Sequence, residues 1–150
     1  MIKEVYCSFE VSKLLKEKGF PQLLGDNGCV NRIPYYCSNG NLYTGDIGLL
    51  RQRYFHEASA PSHQMALEWL REEKNIVIEI NLEDYMTTED GKLKKWYSYT
   101  IWTFIQHLGE TGLIDSRFDD RAYWQENVKV GQTYKEAVEA ALKFCLTKLI

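Results

Sequence analysis

Apolar and polar positions follow two rhythms along this chain. Near the start, Phe9, Val11, Leu14 and Leu15 form a loose apolar stripe behind Ser8, and Gly19 with Pro21 closes it. A capping serine in front and a glycine behind bracket a helix, here from about Phe9 to Lys18. A second stripe, Met65, Ala66, Trp69 and Leu70, keeps Glu68, Arg71 and Glu72 on its outer side. It predicts a helix that begins near Pro61, since proline suits a first turn, and ends at Asn75. The third stripe is the longest: Tyr134, Ala137, Val138, Ala141, Leu142, Cys145, Leu146 and Leu149 recur at steps of three and four. Thr133 and Glu136 ahead of it fit the reciprocal capping box, so this helix has a defined start.

The other rhythm has a period of two. Ile76, Ile78, Ile80 and Leu82 point one way while Glu79 and Asn81 point the other, the pattern of a strand with one buried face. After a turn over 87–92 with Asp90-Gly91 at its tip, a long strand from Lys94 to about Ile105 carries Trp96, Tyr97, Tyr99, Ile101, Trp102, Phe104 and Ile105. Aromatic and β-branched residues of this kind suit a pleated surface, and the two strands are expected to pair antiparallel. A shorter strand is predicted over 121–125.

Residues 19–60 lack both rhythms and are rich in glycine and asparagine. Asn39-Gly40, flanked by Tyr35–Ser38 and Asn41–Thr44, predicts a short hairpin near 35–44 with a two-residue turn. A further short element is expected around 49–55. Helix, hairpin, helix, three strands and helix make an α+β fold. The expected build is an antiparallel sheet of 3–5 strands with about three helices. The C-terminal helix should lie on the Ile76/Ile78/Ile80/Leu82 face. A length of 150 residues is that of one domain, here 1–150.

Two stretches, Ala60–Glu73 (APSHQMALEWLREE) and Tyr134–Leu146 (YKEAVEAALKFCL), resemble segments of small uncharacterised proteins encoded by gut bacteria and their phages. Val11–Phe20 (VSKLLKEKGF) fits the same likeness, which touches about a quarter of the chain. The resemblance implies a phage or mobile-element accessory protein and brings no site residue with it.

Charge and chemistry narrow the options. With 18 basic against 21 acidic residues the net charge is −3, which excludes a strongly cationic nucleic-acid-coating protein. No apolar run approaches the ~18 residues of a membrane helix, and the first residues lack a signal-peptide core, so a cytoplasmic setting with reduced cysteines is expected. No phosphate-cradling glycine loop, HExxH or CxxC is present, and no cofactor is expected.

Cys29, Cys37, His56 and His63 offer zinc-type donors, but seven residues separate the cysteines and six the histidines, where zinc sites use two to five. Packed thiols and loop histidines are the favoured reading. A Cys–His nucleophile pair needs a thiol and a base in reach. Cys7, just before a helix, and His107 are candidates without a joining signature. Asp115, Asp119 and Asp120, and the acids around 83–90, lack the alternation of a calcium loop and read as solvated. Lys92, Lys94 and Lys95 beside aromatic residues could hold a single-stranded nucleic acid, against the acidic overall balance.

The strongest feature is the aromatic strand, which has large apolar groups on both faces. A strand in a small antiparallel sheet normally has one dry face. The second needs cover from residues 19–60, from another helix or from another chain. Its contact surface would include Trp96, Tyr97, Tyr99 and Trp102. The favoured function is therefore a non-catalytic binding protein acting through protein–protein contacts or self-association, as a homodimer for instance. The competing reading is a small enzyme with a Cys/His-lined cleft.

Overall fold

The computed structural model describes residues 4–22, 34–43, 56–104, 121–131 and 133–150. The element expected near 49–55, together with Cys29, His107 and Asp115–Asp120, lies outside them. Contacts divide the chain into two compact units, Met1–Ala66 with Leu142–Ile150, and Leu67–Ala141.

The first unit opens with helix α1, Phe9–Glu17. Ser8 caps it, its Oγ accepting the Val11 N–H at 3.3 Å. At the other end Gly19 has φ +92°, and two reversed bonds close the helix: Gly19 N–H to the Lys16 carbonyl and Phe20 N–H to the Leu15 carbonyl at 2.8 Å. This paired closure needs a left-handed residue, which is why a glycine stands there. It also brings Phe20 back beside Leu15, and both side chains are buried.

The predicted hairpin is present as β1, Tyr35–Cys37, and β2, Leu42–Tyr43, with Tyr35 opposite Tyr43. Its turn differs from the expected two-residue form. Among the described residues of the turn only Gly40 has a positive φ, +83°, and the Gly40 N–H bonds the Cys37 carbonyl while the Cys37 N–H bonds the Asn41 carbonyl. The loop is therefore three residues long, a tight turn followed by one left-handed glycine. Asn39 stays right-handed because its side chain accepts the Asn41 N–H at 3.0 Å. On the other side of β1 runs β3, His56–Ser59, giving a three-stranded antiparallel sheet in the order β2-β1-β3. The described residues thus form two small sheets where the sequence suggested a hairpin and one sheet.

Helix α2 spans His63–Lys74, two residues later than Pro61 suggested. Ser62 is the cap, its Oγ accepting the Met65 N–H, and Pro61 lies outside the helix. Asn75, at φ 55°, ends the helix in the left-handed region that asparagine tolerates. The chain then passes directly into a strand.

The second unit is built on β4, Ile76–Thr87, β5, Leu93–Phe104, and β6, Arg121–Gly131, in that order and antiparallel. β4 and β6 outlast their sequence-based bounds, whereas β5 begins one residue earlier than expected and ends at Phe104. The register sets Ile78 opposite Ile101, Ile80 opposite Tyr99 and Leu82 opposite Tyr97, so one face is apolar. On the other face Asn81 Nδ2 donates to Thr100 Oγ1 at 2.9 Å. Ser98 and Thr100 are 1% and 6% exposed there, so the centre of the second face is covered by the chain itself. The turn between β4 and β5 repeats the three-residue form: Gly91 N–H bonds the Thr88 carbonyl, Thr88 N–H bonds the Lys92 carbonyl, and Gly91 has φ +73°.

Helix α3, Tyr134–Phe144, passes into a π-helical turn over Cys145–Leu149 and packs on this sheet. Tyr134 meets Tyr97 edge-on at 6.3 Å between ring centres. The capping box forms as expected: Thr133 N–H donates to Glu136 Oε2 at 2.9 Å, and Glu136 N–H donates to Thr133 Oγ1 at 3.2 Å. Gly131 ends β6 against that box. A Cβ there would lie 2.6 Å from Glu136 Cβ and 2.9 Å from Oε2.

Gly131→Ala is therefore expected to push Glu136 out of the cap and to cost about 1–3 kcal/mol in urea denaturation. Thr133→Ala should cost ~1 kcal/mol. Because both act on one contact, the double variant should lose less than the sum. Full additivity would show that Gly131 acts elsewhere.

Candidate functional site

Two places in the described structure bring chemistry together, one in each unit. In the first unit a short antiparallel bridge pairs Tyr6 with Ser62. Cys7 N–H donates to the Pro61 carbonyl at 2.9 Å, and His63 N–H donates to the Val5 carbonyl at 3.0 Å. The bridge fixes Cys7 just ahead of the cap of α1 and His63 as the first residue of α2. The Tyr36 hydroxyl donates to the Cys7 carbonyl at 2.8 Å and ties β1 to the same point. As a result Cys7 Sγ and an imidazole nitrogen of His63 lie within 4.8 Å.

A thiol beside an imidazole can pass its proton across and act as a nucleophile. Access decides against it here: Cys7 is 0% exposed and His63 is 7% exposed. The sulfur that this unit brings to His63 is that of Cys7, outside the four residues singled out for zinc. Cys37 is buried in β1, and its backbone pairs with His56 of β3. Burial pushes the Cys37 thiol above its ordinary value. Burial pushes the Cys145 thiol up to about 12. No local sequence signal joins Cys7 to His63, because the bridge between them is a tertiary contact.

In the second unit, the aromatic residues separate by face and by depth. Tyr99 is 3% exposed and belongs to the packed interior, which removes it from any contact surface. Trp96, Tyr97 and Trp102 are half-buried, Trp96 and Trp102 on one face and Tyr97 on the other. The residues most open to water lie further out. Leu82, Met86 and Leu93 are 52%, 52% and 53% exposed, and Lys92, Lys94 and Lys95 are exposed beside them. Leu82 is the fourth member of the apolar row on β4, so the cover of that face ends before it.

The cause is a difference in strand length. β6 reaches only as far as Gly131, opposite Tyr97, whereas β4 and β5 continue together to Thr87 and Leu93. Among the described residues the outer part is thus a ribbon two strands wide. Such a ribbon is marginally stable without a third layer or strand. Sequence periodicity could not reveal this, because it sees each strand's apolar side but not the length of its neighbour.

Comparison with known protein families, with curated proteins and with solved structures finds no match. No helix of the described residues is long and apolar enough to cross a membrane.

The thiols supply two expectations. In the folded protein Cys7, Cys37 and Cys145 should alkylate at least about tenfold more slowly than in denaturant, as buried structural thiols do. Peptide mapping after iodoacetamide treatment checks this, and rapid labelling of Cys7 would restore a nucleophilic role. The folded-state pKa of Cys145 stands above its ordinary 9.0, so the stability it brings is complete below pH 9 and is lost as pH climbs toward about 12. Wild-type stability should therefore fall more steeply across that window than that of Cys145→Ala.

Proposed function

We propose that this protein is a small non-catalytic binding protein that works through contacts with another protein, and that the outer end of the β4–β5 ribbon is its contact surface. The observation that carries the reading is the exposure of Leu82, Met86 and Leu93 on a ribbon only two strands wide. Single exposed apolar residues are ordinary, but three on one short two-stranded element, Leu82 and Leu93 on the Tyr97 face and Met86 on the Trp96 face, mark it as an interaction surface. Half-buried Trp96 and Tyr97 lie at the base of the ribbon, one on each face, and each would back the contact on its own side, since tyrosine and tryptophan bury large areas at low entropic cost. The accessory role in a phage or mobile element, and the cytoplasmic setting, belong to the same proposal.

A small thiol enzyme is the second reading, favoured by the closeness of Cys7 and His63. It would require this buried pair to open. A nucleic-acid role is weaker. Between residues 83 and 95 the ribbon carries Glu83, Asp84, Glu89 and Asp90 against Lys92, Lys94 and Lys95, four negative charges against three positive, for a net of −1. Phosphates tracked along a nucleic acid demand a positive balance over the whole ribbon, not over one short edge.

A photo-crosslinking residue at position 93 is expected to give a discrete protein adduct in the producing cell, while the same residue at exposed position 13 on α1 does not. A dilution series by light scattering then tells whether the partner is a second copy. Equal crosslinking at both positions, or none at position 93, overturns the reading.

A further inference from the structure

β5 outruns β6 by the segment Leu93–Trp96, and the pattern of backbone bonds tells which groups that segment leaves open. The Thr88 N–H to Lys92 carbonyl bond makes Thr88 and Lys92 a hydrogen-bonded pair. In an antiparallel ladder such pairs alternate with non-bonded ones. Hence Met86 and Lys94 exchange bonds across the ribbon, and the N–H and C=O of Leu93 and Lys95 point away from β4. That is the side on which β6 pairs with Tyr97, Tyr99 and Ile101 further along. Among the described residues no strand continues this pairing beyond Tyr97. Leu93, Lys94 and Lys95 are all exposed.

Building on the binding reading above, we infer that this edge of β5 accepts an extended acidic segment of another protein as an added antiparallel strand, in line with β6. The added strand would place carboxylates opposite Lys95 and Lys94 and an apolar side chain opposite Leu93. Read in its own direction, it is acid, acid, apolar. Opposite charges directly across a strand pair are favourable and like charges are not. This also argues against a second copy on the same edge, because two such segments paired about a two-fold axis would set lysines against lysines. Edge lysines can serve simply to deter pairing. An edge guarded for that purpose alone would take up neither an acidic nor a basic strand, so peptide binding separates the two roles. Main-chain bonds supply affinity in strand addition, and alternate side chains supply selectivity.

The probe is a fluorescein-labelled synthetic peptide of roughly six residues, a usual strand length, carrying the acid-acid-apolar pattern in a threonine and valine background. A second peptide replaces the acids with lysine. Fluorescence anisotropy with the full-length protein should show the acidic peptide binding at least about tenfold tighter, with affinity falling as salt is added. Lys94→Glu with Lys95→Glu should reverse the preference. Both residues are exposed, and circular dichroism of this variant verifies that the fold persists. Amide exchange should slow at Leu93 and Lys95 when the acidic peptide is bound. Equal affinity for the two peptides, or binding without slowed exchange at those two amides, overturns the inference. If position 93 still crosslinks to a partner in that case, the binding reading stands and only the partner's chemistry is wrong.

Discussion

The second unit depends on one mismatch of length. Among the described residues, strands pair with both edges of β5 from Tyr97 inward, and β4 alone pairs with its segment Leu93–Lys95. Inward, the sheet is dry on both faces at its centre, with Ile101 and Tyr99 buried on one side and Ser98 and Thr100 on the other. The small side chains of Ser98 and Thr100 allow close cover of the second face, and the bond from Asn81 satisfies the Thr100 hydroxyl there. Outward, the same two strands lose the third strand and, with it, the cover over Leu82. Stability and exposure are thus divided along one strand, at the residue where Gly131 ends β6 and the chain turns into α3. That turn is possible because Gly131 has no Cβ to strike Glu136.

The first unit is organised around a different economy. One bridge between Tyr6 and Ser62 sets the starts of two helices side by side, and a tyrosine from the small sheet donates to the same backbone. Capping by Ser8 and Ser62 satisfies N–H groups that would otherwise be orphaned at both starts. Cys7 and His63 come together as a consequence. Their burial makes the pair part of the packing, and Val11, Leu15, Ala58 and Cys145 of the same unit are, like Cys7, fully or nearly fully buried. Exposed ion pairs such as Lys143 with Glu10, at 2.7 Å, add ~0–1 kcal/mol at most to this unit.

Much of the fold was legible in particular residues. Ser8 and Gly19 bracketed α1, Thr133 and Glu136 opened α3, and the alternation of Ile76, Ile78 and Ile80 marked β4. These signals are local: a cap acts within four residues and a strand face repeats every two. Where the structure departs from the local pattern, a competing local bond or a non-local partner prevails. Asn39 kept a right-handed conformation because its own side chain served the turn, so the loop needed three residues. Ser62 outcompeted Pro61 as the start of α2 because it supplies an acceptor to Met65, which proline lacks. β3 has too few residues to display a period, and it is a strand because β1 lies beside it.

The candidate sites divide the same way. That β5 carries large apolar groups on both sides could be read from its residue order, and so could the lysines at its start. Which aromatic residues remain near water could not, since Tyr99 and Tyr97 share a face and differ only in what lies over them. By itself the sequence determined the helices, their caps, the α+β class and the two-sided strand, all of which follow from periodicity and short-range hydrogen bonding. The tertiary structure alone decided that Cys7 meets His63, and that no strand among the described residues pairs with the outer edge of Leu93–Lys95. Pairing partners and strand ends are set by chain closure between distant segments, and no local pattern records where such a segment stops.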